Sequence, residues 1–136
     1  MEDTSAAGMP TGQPGGLRVC PLIAFDQIAG GKYKLRIMWE LLHGPRRYGQ
    51  LRRSMVTACQ GRPVTDRILS RELKGLQERR LIDRIQYAVV PPKVEYALTD
   101  AGKQLAPVIE QIIAWGATGG HERALAAPPG AASPIR

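Results

Sequence analysis

The sequence predicts an α+β domain in which four short helices precede a β-hairpin and a last helix follows it. Three observations carry that reading. The apolar run Ile85-Gln86-Tyr87-Ala88-Val89-Val90 leads into Pro91-Pro92 and then into Val94-Glu95-Tyr96-Ala97-Leu98. Two prolines close a tight turn but have no place inside a paired central strand, so the stretch reads as strand, turn, strand. Just before it, residues 65–79 carry a core stripe of Ile68, Leu69, Leu73 and Leu76 beneath a basic outer side, the pattern of an amphipathic helix. Just after it, Leu105, Val108, Ile109, Ile112 and Ile113 recur at helical spacing.

The remaining elements follow in order. Residues 1–19 are rich in Gly, Pro, Thr and Ser and read as a disordered tail. Cys20-Pro21 opens the first helix, where proline costs nothing because its missing N–H has no partner to lose. Leu22, Ile23, Phe25 and Ile28 are its apolar positions, and Gly30-Gly31 ends it. The second helix, residues 32–42, buries Leu35, Met38, Leu41 and Leu42, with Ile37 and Trp39 beside them, and stops at His43-Gly44-Pro45. In the third, residues 48–56, Leu51 and Met55 face inward while Arg52 and Arg53 face solvent. Residues 57–63 read as a loop, marked by Gly61 and Pro63, and Thr65 is placed to cap the fourth helix. The hairpin strands are expected at 81–90 and 94–98. Thr99 or Asp100 caps the last helix, which runs to Trp115 and should kink or restart near Leu105 because of Pro107. Residues 117–136, mostly Ala, Gly and Pro, read as a second disordered tail, which leaves 20–116 as one folded domain. A hairpin set directly behind a basic helix is what a winged helix-turn-helix DNA-binding domain requires.

Charge agrees with that fold. Residues 20–115 hold 16 of the 19 Lys and Arg but only 9 of the 12 Asp and Glu, so the whole net charge of +7 lies in the folded part. Such a balance suits a polyanionic partner, here double-stranded DNA. Several other classes are excluded. No apolar run approaches the roughly 18–20 residues a membrane helix needs, and no secretory leader is legible. Cys20 and Cys59 are too few for a disulfide framework and too far apart for a metal site, so no metal or cofactor is expected and a reducing cytoplasm is the expected setting. His43 and His121 are isolated, the acids show no paired spacing, and Gly30-Gly31 is no phosphate loop. An enzyme is not expected.

The core stripe of the fourth helix turns Asp66, Arg67, Ser70, Arg71 and Lys74 outward. In a helix-turn-helix unit the second helix enters the major groove, and arginine is the commonest reader of guanine. Arg67 and Arg71 are therefore assigned to bases, Thr65 and Ser70 to bases or phosphates, and Lys74 to phosphate. On the hairpin, Lys93 is the candidate phosphate contact and Arg84 the weaker one, with Arg46, Arg47, Arg52 and Arg53 placed to flank the backbone. The last helix is more apolar than one small core absorbs. Leu105, Val108, Ile109, Ile112, Ile113 and Trp115, together with Ile23, Phe25 and Ile28 of the first helix, read as a homodimer face. Two-fold readers need such a face because half-sites lie about 34–36 Å apart. Cys20 sits at a helix start with Arg18 nearby, where the dipole favours thiolate, and is a candidate redox or electrophile sensor. Cys59, in the loop before the fourth helix, is its candidate resolving partner. Two alternatives stay open: a winged helix that binds an acidic protein partner, and a regulator that takes a small apolar ligand without any cysteine switch.

These residues resemble the HxlR family of bacterial winged-helix regulators. The resemblance is carried by Cys20-Pro21, by Ile28-Ala29-Gly30-Gly31-Lys32-Tyr33, and by Glu40-Leu41-Leu42 followed by Gly44-Pro45-Arg46-Arg47-Tyr48 and Leu51-Arg52-Arg53. It continues through Ile68-Leu69-Ser70-Arg71-Glu72-Leu73 with Leu76, the block Pro91-Pro92-Lys93-Val94-Glu95-Tyr96-Ala97-Leu98-Thr99, Gly102, Leu105-Ala106-Pro107-Val108 and Trp115-Gly116. It implies a homodimer built through terminal helices, binding inverted repeats near promoters as repressor or activator. In part of the family the cysteine matching Cys20 senses electrophiles or oxidants. Two departures stand out. Tyr33 replaces the usual tryptophan, and residues 56–64 are longer than the family's usual link and contain Cys59.

Overall fold

The computed structural model describes residues 19–58 and 64–128. Among them the order is α1 (Pro21–Ala29), α2 (Lys34–Leu41), β1 (Arg46–Arg47), α3 (Tyr48–Ala58), α4 (Asp66–Glu78), β2 (Ile82–Tyr87), β3 (Lys93–Leu98), α5 (Asp100–Lys103), α6 (Ala106–Ala117) and α7 (Gly120–Ala126). The strands form one antiparallel sheet in the order β1-β3-β2. β2 and β3 are the expected hairpin, in register from Ile82 opposite Leu98 to Tyr87 opposite Lys93. The first strand is shorter than the apolar run suggested, because residues 88–92 form the turn, with the Val90–Pro91 peptide cis.

The helix punctuation works as the residue chemistry dictates. Pro21 lies in the first turn of α1, and Thr65 accepts a hydrogen bond from the Ile68 N–H to cap α4. Thr99 does the same for α5 through the Gly102 N–H, and its own hydroxyl donates to the Arg80 carbonyl at 2.7 Å. Pro107 divides the last helical stretch into α5 and α6, since no backbone N–H is available there to continue the first. α4 ends in a Schellman motif: the Leu81 N–H bonds the Leu76 carbonyl and the Arg80 N–H bonds the Gln77 carbonyl. Arg80 takes the left-handed position at φ 59°.

α2 lies at the centre, against α3, α4, β3 and α6. Its Ile37, Met38 and Leu41 meet Leu51 and Met55 of α3, Leu69, Leu73 and Leu76 of α4, and Ile82, Tyr96, Leu98 and Ile109 in one core. This packing fixes which side of α4 is left for a partner.

Three expectations are corrected. β1 was not foreseen: Arg46 and Arg47 pair with Tyr96 and Glu95 on β3, so they brace the sheet from its other edge. α3 runs to Ala58, into the stretch read as loop, while Cys59, Gly61 and Pro63 lie outside the described residues. The boundary at residue 116 is also too early, because α7 follows a left-handed turn at Gly119 (φ 83°) and packs its first residue, Gly120, under the Trp115 indole.

Candidate nucleic-acid interface

α4 is held at both ends and along its inner side. At its start, the Tyr48 hydroxyl of α3 donates to Asp66 Oδ1 at 2.7 Å, and Arg52 Nε lies 3.5 Å from the same oxygen. Burial, and next the hydrogen bond to Asp66, push the Tyr48 phenol above its usual range, with the Ser70 hydroxyl pulling the other way. Further along, Lys34 of α2 reaches Glu72 Oε1 at 2.5 Å. The outer face is open to solvent: Thr65 at the N-cap and Arg67, Ser70, Arg71 and Lys74 on the turns that follow are all exposed.

The hairpin stands next to it, since β2 follows α4 after one turn and packs against it. Lys93 opens β3 and is engaged within the wing: its Nζ lies 3.6 Å from Glu95 Oε2 and 4.7 Å from the centre of the Tyr87 ring. The Tyr87 hydroxyl donates to Glu95 Oε1 at 2.8 Å, a bond that holds its phenol above the usual range. Arg84 is exposed and bonds Gln86 at 3.3 Å, not an acid. The turn itself presents apolar residues, with Val90 98% exposed.

The residues assigned to a dimer face divide. Ile109 is buried in the core of its own chain, and Ile28 and Leu105 pack against that core. Phe25 is half-buried. Ile23, Val108, Ile112, Ile113 and Trp115 remain exposed, joined by Leu22 at 82%, which the sequence assignment omitted. Pro107, Val108, Gln111, Ile112 and Trp115 line an open, largely apolar groove along α6. Cys20 is a free, half-buried thiol at the start of α1, and Cys59 lies outside the described residues. Among the described residues no cluster of His, Cys, Asp and Glu could hold a metal, and no helix is long and apolar enough to cross a membrane.

Sequence reasoning passed over Glu72 and Lys34. The signal for Glu72 was present: it stands three residues after Leu69 and four before Leu76, on the core stripe itself, where a lone carboxylate needs a partner.

Comparisons with known proteins agree with this geometry. The family described as HxlR-like helix-turn-helix matches residues 28–123. The HTH-type transcriptional regulator YtcD of Bacillus subtilis is 37% identical over 91 residues, covering 67% of this chain and 68% of that protein. A second B. subtilis regulator, YdzF, is 41% identical over 90 residues, covering 65% of this chain and 77% of its own. Among solved structures, the redox regulator HypR in its oxidized form superposes with a TM-score of 0.65 at 33% identity, over 73% of this chain and 96% of that one. The crystal structure of YtcD does so with a TM-score of 0.65 at 35% identity, over 74% and 97%. The fold is a winged helix of the kind these regulators share, and they are not enzymes. An exposed face bearing Arg67, Arg71 and Lys74 on a clamped helix, a wing beside it and a family match over residues 28–123 identify this chain as a transcriptional regulator of the HxlR-like helix-turn-helix family.

Proposed function

We propose that this chain is a homodimer that reads an inverted-repeat operator, setting one α4 into the major groove of each half-site. The observation that supports it best is the outer face of α4. Five side chains able to bond phosphates or base edges lie exposed there, Thr65 at the N-cap and Arg67, Ser70, Arg71 and Lys74 on the turns that follow. Arg67 and Arg71 take bases, Ser70 and Thr65 bases or phosphates, and Lys74 phosphate. Lys93 shares its ammonium with Glu95 and the Tyr87 ring, which tempers its pull on a phosphate. The exposed residues of α1 and α6 would be covered by a second copy of this chain, with the reading heads on the outside.

The signal end of the reading is Cys20, in a cytoplasmic setting. Its support is the similarity to a redox regulator, HypR, and its own position as a free thiol where α1 begins. Oxidant should then change the DNA affinity of the wild type and leave Cys20→Ser unaffected, and equal responses would remove the switch from the account.

Selection of duplexes from a random library by the purified protein tests the central reading. Enrichment of an inverted repeat with half-sites one helical turn apart is expected. Weak binding that collapses with salt and enriches no sequence would overturn it in favour of a protein-binding winged helix.

A further inference from the structure

Glu72 is the one buried charged side chain among the described residues, 7% exposed, and it belongs to α4 itself. A carboxylate taken out of water is costly unless its oxygens are paired. Here both are, and to different cations. Oε1 holds Lys34 Nζ of α2 at 2.5 Å, while Oε2 accepts from Arg71 Nη2 at 3.4 Å. Arg71 is 68% exposed at its side chain, so one end of this chain of contacts is in the core and the other is at the surface. Lys34 reaches Glu72 by crossing Gly75: a Cβ there would lie 3.3 Å from Lys34 Cε and 3.8 Å from Nζ. Glycine is a poor residue for the middle of a helix, and here it leaves room for the lysine stem.

We propose that Glu72 is a positioning residue for base reading. Anchored to α2 through Lys34, its second oxygen holds the Arg71 guanidinium and sets the direction from which it meets a base edge. The proposal rests on α4 being the DNA-reading helix. A guanidinium carries five N–H donors, and the contact with Glu72 uses one, which leaves enough for a paired bond to guanine. An arginine already oriented loses less freedom on binding, and the loss avoided appears as discrimination between bases. Lys34 offsets the charge that Glu72 would otherwise present to the phosphates.

Glu72→Gln separates this role from simple helix support. The amide keeps the shape and can still accept from Lys34, but it turns a donor toward Arg71. The probe is the duplex enriched by the wild type, compared with one altered at the base pair that Arg71→Ala relaxes. Glu72→Gln is expected to lower that discrimination up to about tenfold, as coupled neighbours do, and to have no further effect on it in the Arg71→Ala background. Equal losses in both backgrounds, tracking melting temperature, would reduce Glu72 to structural support and overturn the proposal while leaving Arg71 as a reader. A silent Arg71→Ala would overturn the reading and the proposal together. Should Glu72→Gln fail to fold, Lys34→Gln releases the same carboxylate from its core side. Discrimination unchanged in that variant would also overturn the proposal.

Discussion

Tyr48, Asp66 and Arg52 join α3 to the first turn of α4, and they do so partly in solvent, so each contact is modest. Tyr48→Phe should cost at the lower end of about 0.5–1.5 kcal/mol, measurable by urea denaturation. The pH dependence has a definite sign. A phenol whose pKa is raised by folding stabilises the protein fully below its unfolded value of about 10, and that share is lost as pH rises through the folded value. Wild type and Tyr48→Phe should therefore converge in stability above about pH 10, and a gap that widens there would contradict this assignment. The outward candidates Arg67, Ser70, Arg71 and Lys74 were legible in the sequence because three core leucines fix the phase of a helix. The ties beneath them were not. Lys34 and Glu72 are 38 positions apart, and no periodicity reports a pairing between two helices.

At the scale of elements, the turn that joins α4 to β2 aims the wing. Arg80 holds a left-handed conformation there, which costs a side-chain-bearing residue roughly 1–2 kcal/mol. Arg80→Gly should recover part of this, about 0.5–1 kcal/mol after the larger entropy of the unfolded glycine chain, and raise the melting temperature by a few degrees. A drop in melting temperature would show that the Arg80 side chain does more than occupy the turn. The opposite holds at Gly102, where a Cβ would lie 2.2 Å from the Leu81 carbonyl oxygen and 3.0 Å from Leu98 Cδ2. Gly102→Ala should destabilise by at least about 1–3 kcal/mol, because a backbone atom cannot give way as a flexible side chain does. Elements that announce themselves by caps and prolines were readable: Pro21, Thr65, Thr99 and Pro107 all act where their chemistry places them. β1 was not, since two residues show no alternation and are made a strand by the β3 edge beside them. α7 was hidden by its Ala- and Gly-rich composition, and its docking on Trp115 depends on a contact that only the fold creates.

At the scale of the whole molecule, the basic charge and the apolar surplus lie on different elements. Arg67, Arg71 and Lys74 project from α4, whereas α1 and α6 hold no Lys or Arg and present Leu22, Ile23, Ile112, Ile113 and Trp115. That separation suits a particle with a shared apolar middle and two basic heads. Ile112→Glu should leave the fold intact, because the residue is already exposed, yet give a monomer by sedimentation and weaken operator binding. A dimer that survives this change would place the interface elsewhere. Ile109 was assigned to the same face but is spent in the core, a distinction that helical spacing alone does not draw. On the outer face of α4, Arg71 is the side chain assigned to read a base that also bonds Glu72. The most direct measurement is a parallel selection from one random duplex library by the wild type and by Arg71→Ala at the same salt. The expected result is an inverted repeat for both, with one position in each half-site relaxed in the variant, equivalent to about 1–3 kcal/mol of lost discrimination. Identical motifs, or no motif for the wild type, would contradict it.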